Sequence, residues 1–199
     1  IHMALRLEQG LSHWLVVAVN ETPSLALAGA PHFCVTRLLQ EARRRWGEDV
    51  TLIADVGLSP YQSSGQSVVL REGRIAIEDS YAAAAELACC FAAAGADAVA
   101  PCLSLPHQTG AIRQALERRG LRAALIPYST KFSSSLYGPY RQAIGSRLGL
   151  TRKSYQFDYD DAATALNQLE CDIAQGAVAT IVKPAMPYLD VLAEACRRS

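Results

Sequence analysis

Short apolar runs recur along the chain, each closed by a polar or glycine-marked break. They are Trp14-Leu-Val-Val-Ala-Val19, Val50-Thr-Leu-Ile-Ala54, Ala98-Val-Ala-Pro101, Ala123-Ala-Leu-Ile-Pro-Tyr128 and Ala179-Thr-Ile-Val182. All are short and most are rich in β-branched residues, which predicts strands of a sheet buried on both faces. Between them, apolar positions shift to a helical period. Val35, Leu38, Leu39, Ala42 and Trp46 mark one helix. Asp79 or Ser80 is placed to cap a second over 81–94, with Gly95 as its stop. Further helices are expected over 109–119, 160–175 and 188–198, the first two ended by Gly120 and Gly176. Strands alternating with helices predict an α/β fold with about five parallel strands, as a barrel or an open sheet. No break marks a second domain, so 1–199 reads as one unit.

Three stretches depart from this rhythm. Residues 20–31 and 59–73 carry prolines and glycines and predict loops, the second with room for a small hairpin. Residues 129–157 are rich in Ser, Gly, Tyr and Arg, with at most one helical turn near Tyr140. A connection of that length in a compact domain is usually functional, often a lid.

Composition narrows the partners. Lys plus Arg and Asp plus Glu are 19 each, so net charge is zero and there is no electrostatic case for nucleic acid or a membrane surface. Arg43, Arg44 and Arg45 read as a solvated helix end, since no second basic cluster supports them. The longest apolar stretch, Leu87 to Ala96, is too short to span a bilayer. Six cysteines without a C-x-x-C pair read as reduced thiols of a cytoplasmic protein. Ile1-His-Met-Ala reads as a cloning remnant, with no signal-peptide pattern.

The candidate chemistry sits at strand ends. A parallel sheet gathers the C-terminal ends of its strands on one face, here Asp55, Pro101, Tyr128 and Lys183. Lys131 follows the fourth run closely and Lys183 closes the fifth. A strand-end lysine taken singly is ordinarily a solvated charge. Two on one face would depress each other's pKa, and a neutral lysine amine forms a Schiff base with a ketone. The Tyr137-Gly-Pro-Tyr-Arg141 turn beside the first lysine favours the pocket over the bare surface charge.

These motifs carry a resemblance. Ile53-Ala-Asp55-Val-Gly57-Leu-Ser59-Pro-Tyr61, Ala94 to Pro101, Tyr128-Ser-Thr-Lys131 through Arg141, Arg152-Lys-Ser-Tyr-Gln156, and Val182-Lys183-Pro-Ala with Tyr188-Leu-Asp-Val resemble, in order, the porphobilinogen synthase (5-aminolevulinate dehydratase) family. The resemblance covers roughly Val17 to Arg197 and implies a fold related to the TIM barrel. That family condenses two molecules of 5-aminolevulinate to a pyrrole through two lysine Schiff bases. By resemblance Lys183 holds the first substrate and Lys131 the second. Arg141 and Arg152 bind the second carboxylate from a lid, helped by Gln156, while Tyr128 and Phe132 wall the pocket and Asp55 belongs with the substrate-binding residues.

The departures carry expectations of their own. Zinc-dependent members place cysteines where this chain has Gly57, Ser59 and Ser67, and magnesium-type aspartates are absent from that loop too. No metal and no other cofactor is therefore expected. The acidic run that follows Ala-Pro in the family is replaced by Cys102-Leu-Ser-Leu-Pro-His107, where His107 is either a substitute acid–base group or a surface histidine. Set against the family, the chain matches from the second to about the sixth barrel strand, without the serine and tyrosine of the first carboxylate site. That implies an incomplete barrel whose two open edges call for a homo-oligomer. The expected function is a metal-independent, Schiff-base-forming condensation of 5-aminolevulinate or a related amino ketone in specialised metabolism. Three alternatives stay open: porphobilinogen synthesis itself within tetrapyrrole biosynthesis, a non-catalytic binding or regulatory paralogue, and a Schiff-base aldolase for another carbonyl compound.

Overall fold

The computed structural model describes residues 2–19, 23–143 and 152–199. Its strands are β1 (His13–Val16), β2 (Thr51–Val56), β3 (Leu70–Arg71), β4 (Arg74–Ile75), β5 (Ala98–Pro101), β6 (Ala124–Leu125), β7 (Thr130–Lys131) and β8 (Val182–Lys183). Its helices are α1 (His2–Glu8), α2 (Cys34–Trp46), α3 (Ile77–Ala93), α4 (Gln108–Arg118), α5 (Gly138–Ala143), α6 (Ala162–Ala174) and α7 (Leu189–Arg198).

A four-stranded parallel sheet in the order β1-β2-β5-β6 forms the centre. β2 lies inside it, with Ala54 paired to Val16 on one side and Val99 on the other. Leu52, Ala54 and Val56 are fully buried, as an apolar strand covered by helices requires. Burying one such large aliphatic side chain contributes about 1.5–3 kcal/mol, and Leu39, Phe91 and Ile112 from α2, α3 and α4 join this core.

The fourth and fifth expected strands are in place but shorter than the apolar runs suggest. Regular pairing stops after Leu125 and resumes at Thr130, where β7 pairs in parallel with β8 as a separate two-stranded sheet. Pro127, which has no N–H to give, sits in the gap. Hydrogen bonds bridge it all the same. Ile126 and Tyr128 donate to Val99 and Pro101 on one side, and Val178 and Ile181 donate to Leu125 and Pro127 on the other. The result is an open sheet, not a closed barrel.

A second core fills the space between β7, β8, α6 and α7. It holds Phe132, Leu166, Leu169, Val182, Val191 and Ala195. It gives the two short strands an apolar floor that the central sheet does not provide.

Local chemistry explains the boundaries. Glu72 and Gly73 both take positive φ (50° and 76°), the backbone that a tight β3–β4 hairpin needs. Helix α3 starts at Ile77, earlier than expected, and neither Asp79 nor Ser80 caps it. Asp79 pairs with Arg71, and the Ser80 hydroxyl donates to Ala76 O while accepting the Val69 N–H. Both side chains tie the hairpin to the helix instead. Asp161 does cap α6, accepting the Thr164 N–H at 3.1 Å. Helix α1 occupies residues taken for a cloning remnant, and Met3 and Leu7 pack on the central core. Among the described residues no helix is long and apolar enough to cross a membrane.

Candidate active site

The parallel pairing of β7 with β8 sets Lys131 directly opposite Lys183. Residues opposite each other on neighbouring strands project to the same face, so the register delivers two amines to one place. Lys131 is buried and its Nζ donates to Cys102 O at 2.9 Å, with Cys102 Sγ at 3.0 Å. Lys183 Nζ faces the rings of Tyr140, Tyr128 and Tyr137 at 4.6, 4.9 and 5.4 Å. The Tyr128 ring centroid also lies 5.8 Å from Lys131 Nζ, so one ring is near both amines.

Burial is the main reason the Lys183 pKa is pushed down, and the charges of Lys131 and Arg152 lower it further, against the opposing pull of Cys102 and Asp55. Lys131 thus lowers the Lys183 pKa, a smaller effect than desolvation.

Asp55, the penultimate residue of β2, stands beside the lysines, 6% exposed. Desolvation pushes its carboxyl up, while Lys131 and Lys183 pull it down together with hydrogen bonds from the Cys102 side chain and the Gly57 N–H. Its Oδ1 has no partner among the described residues. Burial likewise pushes up the Cys102 thiol and the phenols of Tyr128, Tyr137 and Tyr140, keeping all four neutral near neutral pH.

The segment after β7 folds over this pocket. The Tyr137 hydroxyl lies 2.9 Å from both Phe132 O and Lys183 O, tying the segment to the ends of both strands. Tyr140 hydrogen-bonds Ser59. Arg152 is buried, and its Nη2 donates to Gly65 O at 2.5 Å. The Tyr155 hydroxyl accepts the Ser67 N–H and donates to Gln66 Oε1. Gln156 is buried with both amide atoms unpartnered among the described residues, and Arg141 Nε is unpartnered too. Arg152 is felt electrostatically at Lys183, and Arg141 at Tyr137. The expected lid spans 129–157, and its part at 144–151 lies outside the described residues.

One expectation needs correction. Phe132 does not wall the pocket. Strand alternation turns it away from Lys131 into the second core, fully buried and stacked on Tyr188 at 3.9 Å. His107, left open between an acid–base group and a surface histidine, stands exposed at the start of α4, where its ring meets Gln175 Nε2 at 2.8 Å. Cys102, Tyr137 and Tyr140 were not singled out. The readable signals were a thiol directly after the Ala-Pro strand end, and two tyrosines three residues apart at a helix start.

The loop after Asp55 was tested as a metal site by its donors. Gly57 offers no side chain, and a Cβ there would lie 3.1 Å from Asp55 Oδ1. Ser59 is engaged with Tyr140, and neutral Ser67 supplies neither thiolate nor carboxylate. Among the described residues no three His, Cys, Asp or Glu side chains converge. These residues do not fit zinc or magnesium.

A parallel β/α sheet with side chains for chemistry gathered at its strand ends places the chain in the class related to the TIM barrel, here with the sheet open. Within that class, the chain belongs to the delta-aminolevulinic acid dehydratase family, whose family model matches residues 5–199. It is 34% identical over 198 residues to the delta-aminolevulinic acid dehydratase of Streptomyces coelicolor, covering 96% of this chain and 60% of that one. The Rhodobacter capsulatus protein of the same name is 34% identical over 175 residues, 86% of this chain and 52% of its own. The chain therefore spans between about half and three-fifths of these relatives. Among solved structures, porphobilinogen synthase from Toxoplasma gondii ME49, in complex with its product porphobilinogen, superposes with a TM-score of 0.93. That match has 31% identity and covers all of this chain and 58% of the other.

Proposed function

We propose that this chain carries the paired-lysine centre of a porphobilinogen synthase and joins two molecules of 5-aminolevulinate within tetrapyrrole biosynthesis. The names of its relatives favour this reading over a separate amino-ketone condensation in specialised metabolism. The observation that carries it is the register of Lys131 against Lys183 in a buried, tyrosine-walled pocket.

The chemistry follows from the environment. A neutral amine adds to a ketone carbon, and loss of water leaves a protonated imine. Lys183, with its pKa lowered by burial, supplies that neutral amine nearer to neutral pH than a solvated lysine can. The iminium acidifies the neighbouring C–H, and the resulting enamine attacks the second bound ketone. Asp55, buried and with one oxygen free of partners, is placed to accept and return the protons. Arg152 and Arg141, with Gln156, are assigned the second substrate's carboxylate, to which Arg offers a planar fork. Tyr128 sets one aromatic ring beside both amines.

The test is incubation with 5-aminolevulinate, borohydride reduction and peptide mass spectrometry. Adducts are expected at Lys183 and Lys131. Lys183→Met should abolish turnover together with its own adduct, and Lys131→Met should leave the Lys183 adduct and block condensation. The donor set around Gly57 favours a second reading, a non-catalytic paralogue. Absence of any lysine adduct with 5-aminolevulinate or other amino ketones would establish that reading instead.

A further inference from the structure

Residues 152–156 meet the loop after β2 at Gly65, Gln66 and Ser67 in turn. Arg152 Nη2 donates to Gly65 O at 2.5 Å, and the Tyr155 hydroxyl accepts the Ser67 N–H at 3.1 Å while donating to Gln66 Oε1 at 2.6 Å. The loop side is braced: Gly65 takes φ +65°, and Gln62 Nε2 donates to Gln66 O and Val68 O at 3.0 and 3.2 Å. The 152–156 side is a tight turn, since the Tyr155 and Gln156 N–H groups both donate to Arg152 O. Its far end is joined to the Lys131 strand, where the Phe157 N–H donates to Lys131 O and the Ser133 N–H to Phe157 O. The Tyr155 ring packs on the central core. One short turn of chain therefore clasps the loop after β2 to the end of β7.

Arg152 and Gln156, assigned above to the second substrate's carboxylate, both belong to that turn. Gln156 is buried with both amide atoms unpartnered among the described residues, whereas Tyr155, between the two, is committed to the clasp. We propose that Tyr155 is a positioning residue for the carboxylate end of the site: its hydroxyl locks the turn, so that the Arg152 fork and the Gln156 amide stand preset for an acid-bearing ketone. The assignment rests on the Schiff-base reading above and adds to it the contact that sets selectivity for acids.

The physical origin is preorganisation. A guanidinium carries several N–H donors, so the bond to Gly65 O leaves a fork for a carboxylate. Binding that must first order long side chains is weakened by the entropy they lose, and a turn fixed in advance avoids that loss. Burial pushes the Tyr155 phenol up, so it stays a donor to Gln66 across the neutral range. Tyr155→Phe removes both hydroxyl bonds while the ring keeps its place on the core, which separates the clasp from packing.

The experiment compares 5-aminolevulinate with aminoacetone, an amino ketone with the same reacting end and no carboxyl group. It reads the borohydride-trapped Lys131 peptide against ketone concentration. In Tyr155→Phe the 5-aminolevulinate concentration for half-maximal Lys131 adduct is expected to rise about tenfold, the scale of one or two lost hydrogen bonds. The saturating rate should fall by less than about threefold, the pattern of a lost binding contribution. The aminoacetone curve should stay within about twofold, because that ketone presents no carboxylate to Arg152 and Gln156. Gln66→Leu should shift the 5-aminolevulinate curve in the same direction, and the double variant should be no weaker than Tyr155→Phe alone, since both substitutions remove one shared bond. Thermal melts verify that each chain is folded. Equal weakening with both ketones would overturn this assignment alone, since a general loosening of the fold would then be the cause. So would an unmoved 5-aminolevulinate curve in the folded variants. A lack of adducts with either ketone in the unsubstituted chain would overturn the Schiff-base reading and this assignment with it.

Discussion

Phe132 offers the sharpest test of how the lysine pair is held. Its ring is fully buried, stacked on Tyr188 at 3.9 Å with 6° between the planes and edge-on to Phe157 at 6.2 Å. Each aromatic pair contributes about 0.5–1.5 kcal/mol beyond burial, and truncating a buried Phe to Ala costs about 3–5 kcal/mol. Phe132→Ala should therefore lower unfolding stability by about 3–5 kcal/mol. Phe132→Leu keeps most of the volume and loses the ring contacts, which sets its cost at about 1–2 kcal/mol. Urea unfolding with an unchanged m-value reads both. A cycle with Tyr188→Leu should return a coupling of about 0.5–1.5 kcal/mol. Because Phe132 faces away from the pocket, the Phe132→Leu chain should still form borohydride-trapped adducts at Lys131 at the ordinary rate. The reasoning is refuted if Phe132→Leu leaves stability untouched and weakens substrate capture, since the ring would then line the pocket.

Three further outcomes are expected. Lys131→Met removes one of the charges that lower the Lys183 pKa, so that pKa should rise and the pH midpoint of Lys183 trapping should move upward; a fixed midpoint would show that the two amines do not sense each other. A lysine with a depressed folded pKa costs stability below that pKa, and the cost fades as pH climbs to the unfolded value of about 10.4. Lys183→Met should accordingly raise Tm near neutral pH, with the gain shrinking as pH rises. Gly176→Ala should destabilise by about 1–3 kcal/mol, because φ is +94° and the new Cβ would meet Arg113 Nη1 at 2.6 Å. Exhaustive chelation should leave adduct formation intact, given the donors at Gly57, Ser59 and Ser67; stoichiometric zinc lost together with activity would contradict this.

The strand positions were legible because apolar runs of four to six residues have few other uses in an α/β chain, and both lysines followed from where those runs end. Their precise termini were not. Residues 123–128 read as one apolar strand, but Pro127 interrupts the pairing, and the ladder restarts at Thr130 with a different neighbour. Capping was misread at Asp79 and Ser80 because the β3–β4 hairpin, for which the sequence left room, claims both side chains through contacts that local pattern does not show. Phe132 was misplaced for a related reason. Motif adjacency to Lys131 says nothing about facing, whereas the two-residue period of a strand sends neighbours to opposite sides. Cys102 stayed hidden because its partners, Lys131 and Asp55, lie 29 and 47 positions away in the chain, a distance that only the fold closes.

The pairing of Lys131 with Lys183 also makes the site a yes-or-no reporter of strand alignment. Side chains alternate along a strand, so a one-residue slip of β8 against β7 would turn Lys183 toward the second core and bring Val182 or Pro184 to the pocket face. No intermediate position leaves the amines partly opposed. A chain folded everywhere else but misaligned at these two short strands would keep its helices and its central sheet and have no functioning pair at all. If the pair forms adducts as proposed, residual adduct formation in a preparation misaligned at these strands counts correctly aligned molecules rather than a uniform loss of quality.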